Sequence, residues 1–200
     1  MNSIDKLTEL FKSFPGIGPR QAKRFVYYIL SRNGNYAEDL VRSIESLKAE
    51  IGQCSECQRF FHSPTRSSPL CSICSDTSRD SSLLMIVQRD VDLEAVEKSG
   101  SYSGYYFVLG GVVPILEKEP EKKIRITKLE SRIKKGKDKI KEVILAMNAN
   151  QDGEHTAEYL REHIGNSYVI SMLGRGLSTG AELEYADPET LKNALLHRTK

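Results

Sequence analysis

The 200-residue sequence lacks any apolar run long enough to cross a membrane. A membrane-spanning helix needs about 18 or more consecutive apolar residues, and the apolar stretches here are only as long as single strands. The chain also starts without an apolar signal segment and shows neither an internal repeat nor a low-complexity tail. These absences exclude a membrane span and predict a cytoplasmic globular protein with one large domain or two small ones.

Cysteine is scarce, and its few positions follow a pattern. The only four cysteines form two Cys-x-x-Cys pairs, Cys54 with Cys57 and Cys71 with Cys74, which thirteen residues separate. Two such pairs can place four thiolates tetrahedrally around one ion, whereas disulfide frameworks are typical of small secreted domains. The spacing therefore predicts one structural Zn²⁺ per chain, bound by all four cysteines. His62 could replace one of them, but a lone histidine in this loop is predicted to be solvated.

The sequence also lacks the usual signs of catalysis and of an organic cofactor. No Gly-Lys-Ser or Gly-Lys-Thr is present, so a phosphate-binding loop of the nucleotide-hydrolase type is not predicted. His155, His163 and His197 are scattered, without a nucleophile at a plausible spacing. We therefore predict no catalytic residue and no bound cofactor other than the metal.

The net charge of +2 hides an uneven distribution. Residues 1–35 carry six Lys or Arg against two acids, and residues 118–141 carry eleven against four. Residues 142–200 are acidic, with five basic residues against nine acids. A basic front and a basic middle fit an anionic partner such as nucleic acid, although such a run can also be a solvated face.

The front of the chain predicts two helices joined by a tight turn. Ser3 is placed to cap the first helix, which stops at Pro15, and Pro19 opens the second. A third helix, 36–51, is expected to close a small bundle. In the second helix the basic residues lie roughly opposite the apolar face, because two residues correspond to about 200° around a helix. These basic residues are Arg20, Lys23 and Arg24.

Pro15-Gly16-Ile17-Gly18 resembles the helix-hairpin-helix motif of DNA-binding proteins that do not read sequence. Glycines let backbone N–H groups approach a phosphate closely, and a helix N-terminus adds a favourable dipole. We predict that the Gly16 and Gly18 amides, together with the basic residues of the second helix, bind phosphates of single- and double-stranded DNA. The alternative is a plain helical corner with solvated cations.

Beyond the cysteines, strands alternate with helices. Continuous apolar runs predict buried strands, and the alternation predicts an open, mostly parallel α/β sheet with functional loops at the carboxyl ends of the strands. Asp187-Pro188 predicts the start of a last helix. The predicted strands are 83–87, 105–109, 143–147 and 168–173, and the predicted helices are 92–99, 124–139, 154–164 and 187–196.

The order of these modules resembles the bacterial recombination mediator family RecR, and the resemblance covers essentially the whole chain. Its motifs include residues 106–111, 143–148 and 152–154, and the most specific is Gly180-Ala181-Glu182-Leu183-Glu184-Tyr185-Ala186-Asp187. The resemblance implies an α/β fold with a small all-α N-terminal domain. The implied division is a helix-hairpin-helix domain in 1–53, a four-cysteine zinc finger in 54–80 and a Toprim domain with a C-terminal segment in 81–200.

The resemblance further implies a protein without a chemical reaction of its own. Members form homo-oligomers, as dimers or tetrameric rings, that clamp DNA at the nucleoid. They act with RecO and RecF to load recombinase at single-strand gaps. The zinc site would then hold the helix-hairpin-helix domain on the Toprim domain.

The predicted Toprim module lacks the acids of its catalytic relatives. Toprim enzymes need a Glu after the first strand and an Asp-x-Asp after the third, because magnesium chemistry on phosphates uses clustered carboxylates. The corresponding residues here are Gln88, Asn148 and Asn150. RecR proteins often keep the first-strand Glu, so Gln88 departs from that pattern as well. The alternatives to a DNA-binding mediator without catalysis are a magnesium-dependent nuclease or topoisomerase-like enzyme, and a sequence-specific zinc-ribbon regulator.

Overall fold

The computed structural model describes residues 1–64 and 68–198. They form two compact units, residues 1–51 with 62–64 and residues 52–61 with 68–198. Among the described residues, no helix combines the length and the apolar character that crossing a bilayer requires.

The first unit is helical, and its first helix begins one residue earlier than the capping pattern indicated. The Oδ1 atom of Asn2 accepts a hydrogen bond from the N–H of Asp5 at 2.9 Å, so Asn2 is the N-cap and Ser3 is already helical. The predicted cap at Ser3 is wrong. Asparagine and serine are both common N-cap residues, so the sequence does not show which of these two neighbours caps the helix. The helices are α1 (Ser3–Lys12), α2 (Pro19–Leu30) and α3 (Asn35–Glu50).

Packing within the first unit is uneven. Helices α1 and α2 lie against each other, and α2 buries Ala22 and Val26. Helix α3 buries no residue, and Ile44 and Leu47 of its apolar stripe are 51% and 60% exposed. The prediction that this helix closes a bundle is wrong for the single chain, which leaves the apolar face of α3 open.

The chain crosses from the first unit to the second within a short strand. Strand β1 (Ile51–Gln53) and strand β2 (Phe60–His62) form a two-stranded sheet. The four-residue helix α4 (Ser72–Ser75) begins directly after Cys71. These elements are too short to show a hydrophobic period, and the sequence pattern did not indicate them.

The second unit contains a four-stranded sheet in the order β4-β3-β5-β6, with every pairing parallel. The predicted parallel α/β architecture is therefore confirmed. The strands are β3 (Asp80–Val87), β4 (Gly104–Val108), β5 (Glu142–Ala146) and β6 (Val169–Met172). The helices are α5 (Asp90–Ser99), α6 (Ile126–Lys135), α7 (Gln151–Ile164) and α8 (Pro188–Leu196).

Strand β3 separates two hydrophobic layers. Leu84 and Ile86 are completely buried in the layer that contains apolar residues of α6 and α7. Met85 and Val87 point into the opposite layer, which contains Leu93 of α5 and three of the cysteines. Because side chains alternate along a strand, both faces of β3 are covered. The apolar run that predicted a strand buried on both sides is thus confirmed.

Candidate metal centre and nucleic-acid interface

The four cysteines converge in the second unit. Their Sγ atoms all lie within 4.8 Å of one another, and only Cys74 is more than slightly exposed. The Sγ atoms of Cys57 and Cys71 are 3.6 Å apart, close to the separation of about 3.8 Å that tetrahedral Zn–S bonds of about 2.3 Å require. A disulfide would need about 2.05 Å. The cluster is therefore a set of free thiols that could bind a metal ion.

The first turn of the cluster is shaped by an unusual backbone conformation. Gln58 has a φ of +62°, the only positive φ of a non-glycine residue in the described chain. Its N–H donates to the carbonyl oxygen of Cys54 at 3.0 Å, and its side-chain Nε2 donates to Ser55 O at 2.9 Å. Such a conformation costs about 1–3 kcal/mol and is kept only where neighbours enforce it. The second cysteine pair contributes the Cys71 N–H, which points at Cys54 Sγ at 3.4 Å.

The protonated form is favoured at two of the thiols of this cluster. The hydrogen bond with the Cys54 thiol and burial raise the pKa of Cys57. The pKa of Cys74 is also raised, first by its hydrogen bond with Cys54. A metal ion must displace these protons, because thiolates are the ligands. Four sulfur ligands then leave no open position, which is typical of a structural site.

His62 lies outside the cluster. It belongs to the first unit, where its Nε2 is 3.3 Å from the Glu50 carboxylate and its side chain is 65% exposed. The cluster of potential metal ligands found among the described residues consists of the four cysteines alone. The alternative in which this histidine replaces a cysteine therefore has no support in the geometry.

The cysteine turns are fastened to the α/β sheet by polar contacts. The N–H of Val108 donates to Cys57 O at 2.8 Å. The Arg125 guanidinium donates from Nη1 to Gln58 O at 3.0 Å and to Val108 O at 3.1 Å. Glu56 pairs with a cation of α6, Arg132, at 3.2 Å. These partners are distant in sequence, so no local pattern could have identified them.

The turn between α1 and α2 leaves room for a ligand. Gly16 has a φ of +77°, which favours glycine. A Cβ atom built on Gly16 or Gly18 would meet no heavy atom within 4 Å, so both backbones are openly accessible. Ile17 is half-buried and anchors the turn, with its N–H donating to Phe14 O at 3.1 Å.

Helix α2 begins at this turn and presents an uncompensated positive charge. Gly18 is the N-cap and Pro19 the first helical residue, and the first turn contains no acid. The first N–H groups of a helix have no partner within it and favour anions. The predicted basic side chains are exposed, and none of them forms an ion pair among residues 1–64 and 68–198; they are Arg20, Lys23 and Arg24.

A groove beside these cations includes residues that the sequence analysis did not select. Gln21, Arg24, Phe25 and Tyr28 line a groove of about 370 Å³ on α2. Arg24 and Phe25 follow Gln21 by three and four residues, and Tyr28 follows it by seven, so all four lie on one side of the helix. This helical spacing is the signal that could have identified Gln21 and Tyr28. The groove adds largely apolar, aromatic surface next to the basic residues.

The carboxyl edge of the sheet is poor in free acids. Gln88 follows β3 and is 2% exposed, and its Nε2 has no hydrogen-bond partner among the described residues. Asn150 caps α7, with its Oδ1 accepting from the N–H of Gly153 at 2.8 Å. The backbone of Asn148 lies so close to Gly153 that a Cβ there would be 2.1 Å from the Asn148 carbonyl oxygen. Two of the three amides at this edge are thus part of the turn into α7.

The nearby carboxylates already have partners. Asp92 accepts from the N–H of Arg89 at 2.9 Å and caps α5. Glu154 pairs with Arg175 at 2.6 Å. Asp152 is half-buried in the first turn of α7. A clustered carboxylate site of the kind that holds two metal ions is not found among the described residues.

Comparison with known proteins identifies the modules. Residues 82–173 match the Toprim domain, residues 4–48 match the RecR helix-hairpin-helix and residues 176–199 match the RecR C-terminal region. The chain is therefore a Toprim-domain protein with an N-terminal helix-hairpin-helix.

Full-length relatives specify the family. The recombination protein RecR of Limosilactobacillus reuteri is 39% identical over 199 residues, which cover 98% of this chain and 96% of the relative. The RecR protein of Staphylococcus saprophyticus is 36% identical over 198 residues, which cover 98% of this chain and 96% of the relative. That of Chloroflexus aggregans is 37% identical over 193 residues, which cover 96% of this chain and 91% of the relative. The chain belongs to the RecR family of recombination proteins, and the family resemblance drawn from the sequence is confirmed.

Proposed function

We propose that this protein is a recombination mediator in DNA repair that binds DNA without reading its sequence and without catalysing a reaction. It clamps DNA as a homo-oligomer, either a dimer or a tetrameric ring. It acts with RecO- and RecF-type proteins to load recombinase at single-strand gaps, in the cytoplasm at the nucleoid.

One observation carries the DNA-binding part of this proposal. Two open glycine backbones, Gly16 and Gly18, directly precede a helix whose first turn carries a cation and no acid. This arrangement offers N–H groups and positive charge to phosphates, and phosphate contacts carry no sequence information. Arg20, Lys23 and Arg24 then supply phosphate contacts on single-stranded and double-stranded DNA alike.

Exposed apolar surface supports the oligomer. In the first unit the stripe of α3 is open, and in the second unit Leu183 and Tyr185 are 64% and 80% exposed. Large exposed apolar patches mark interaction surfaces, and a closed ring needs such surfaces on each chain. The stretch around Tyr185 is also the most specific part of the family resemblance.

The metal ion that we propose for the four-cysteine cluster is Zn²⁺. Four cysteine ligands at this spacing select a soft ion with tetrahedral geometry. A bound ion would fix the turns at Cys54–Cys57 and Cys71–Cys74 as a structural element. It would carry no reaction, since all four ligand positions are taken by sulfur.

Incubation with DNA and divalent metal tests whether the protein is an enzyme. We expect supercoiled plasmid to stay intact with Mg²⁺ or Mn²⁺, because the catalytic acids of Toprim enzymes are replaced by Gln88, Asn148 and Asn150. In the same buffers, duplexes of unrelated sequence should bind with equal affinity, since phosphate contacts do not distinguish bases.

Two outcomes would contradict the proposal. Nicking that depends on metal and disappears when Asp152 and Glu154 are replaced by Asn and Gln would identify a nuclease. A preference of tenfold or more for one duplex sequence would instead identify a sequence-specific regulator.

A further inference from the structure

A second cationic surface lies in the second unit, where α6 ends. A cleft of about 360 Å³ is lined there by Arg132, Lys135 and Lys139, together with Tyr105 and the carboxylate of Glu56. The charged side chains of this α6 cleft are thus three cations and one carboxylate, and the cleft is also lined by Cys74 of the metal centre. Its cations belong to the basic segment 118–141, of which Arg125 and Arg132 also contact the cysteine turns.

The floor of the α6 cleft is held in place by contacts with the cysteine turns and the sheet. The Arg132 side chain is only 16% exposed, and its Nε lies 3.2 Å from a Glu56 carboxylate oxygen. Its guanidinium carbon is 5.9 Å from the centre of the Tyr105 ring. The second oxygen of Glu56 is 3.2 Å from Lys135 Nζ. Positioned cations of this kind lose less freedom on binding an anion.

The rim of the cleft is a turn that the backbone fixes. The N–H groups of Lys139 and Ile140 donate to Gly136 O at 2.9 and 2.8 Å. Ile140 is 6% exposed, and it packs where a Cβ on Gly136 would lie 2.5 Å from its Cδ1. This packing holds the turn that carries Lys139 against the sheet, so the lysine stays beside the cleft.

Helix electrostatics account for only part of this charge. Lysines in the last turn of a helix offset its dipole, which explains Lys134 and Lys135. Lys137 and Lys139 lie beyond the last residue of α6, and neither forms an ion pair in the described part of the chain. Asp138 is the single acid in this row of lysines. An elongated row of cations beside a cleft fits a polyanion better than one small ion.

We propose that the α6 cleft is a second contact site for the phosphodiester backbone of nucleic acid. The inference rests on the proposed function, because DNA is the polyanion that this function supplies. Arg132 and Lys135 on the floor and Lys139 on the rim contact phosphates, in addition to the contacts made at the hairpin of the first unit.

The salt dependence of DNA binding by the full-length protein tests this site. Lys135→Ala/Lys139→Ala should lower the slope of log K against log salt by about 1.8 on duplex DNA, since each lost phosphate contact removes about 0.9. Lys137→Ala/Lys139→Ala, which breaks no ion pair, should lower it by about 0.9 or more. The matched control Lys98→Ala/Lys192→Ala removes two exposed charges of the same unit and should leave the slope unchanged.

The two sites give distinguishable results. If both α6-cleft variants keep the wild-type slope while an Arg20→Ala/Arg24→Ala variant loses binding, this inference is wrong and the hairpin assignment stands. If only the α6-cleft variants lose slope, the second site stands and the hairpin assignment fails. If inorganic pyrophosphate at constant ionic strength raises the melting temperature of the wild type but not that of the α6-cleft variants, and these variants bind DNA normally, the cleft takes a small anion and the inference is overturned.

Discussion

Replacing Arg20 and Arg24 together by alanine should weaken DNA binding about 60-fold at 0.1 M salt and lower its log–log salt slope by about 1.8. Both side chains are exposed at the start of α2 and have no acidic partner in the described chain. They are therefore free to neutralise phosphates, and their loss should remove about two counterion-release contacts. Fluorescence anisotropy on a labelled duplex across a salt series measures both quantities.

The controls separate a site effect from a loss of charge. Lys6→Ala/Lys48→Ala removes the same charge from exposed positions on α1 and α3 and should change the slope little. Both double variants should melt like the wild type, since exposed substitutions away from special features usually change stability by less than about 0.5 kcal/mol. Binding by the Arg20/Arg24 variant that equals the wild type would reject the hairpin as the DNA-binding element.

Cys57→Ser should abolish stoichiometric metal binding and cost most of the stability of the second unit. Structural zinc sites contribute on the order of 10 kcal/mol to folding, whereas whole domains are stable by only about 5–15 kcal/mol. Cys57 is completely buried beside Val87 and Val108, and its carbonyl oxygen accepts a hydrogen bond from the sheet. Loss of the metal should therefore loosen one whole layer of the sheet.

Metal content by mass spectrometry and thermal unfolding by circular dichroism measure this effect. A strong chelator should lower the melting temperature of the wild type toward that of the Cys57→Ser variant. Ser55→Ala is the matched control, because Ser55 lies in the same turn with an exposed side chain and contributes only backbone contacts. A Cys57→Ser protein that folds normally but no longer binds a partner protein would overturn the structural role of the metal.

Local sequence patterns were sufficient to predict much of the fold. Apolar runs predicted all four strands of the parallel sheet, most clearly β3, because a strand buried on both faces is continuously apolar. Asp187 followed by Pro188 predicted the start of α8, and Asp187 Oδ1 does accept from the N–H groups of Glu189 and Thr190 at 3.0 Å. The cysteine spacing likewise predicted the convergence of four thiols.

The features that the sequence did not predict correctly have two kinds of physical cause. Helix α6 ends at Lys135 and not at residue 139, because Gly136 caps it and Ile140 folds back onto that glycine. This stop depends on tertiary packing that helical periodicity does not contain. Contacts such as that of Arg125 with Gln58 O join residues 67 positions apart. No sequence window can show them.

Exposed apolar residues were the other source of error. The stripe of α3 has the period of a buried helix face, yet Ile44 and Leu47 remain exposed in the single chain. Periodicity reports that a face is apolar but does not say which molecule covers it. The proposed oligomer supplies a partner for that face.

The mass of the protein in solution, with and without DNA, tests the clamp most directly. Sedimentation velocity should give a multiple of the 22.5 kDa chain mass, a dimer or a tetramer, and the same or a larger assembly should be found on DNA. Ile44→Glu/Leu47→Glu should reduce that assembly, since it places charges on the open face of α3. A strict monomer under both conditions would contradict the clamp.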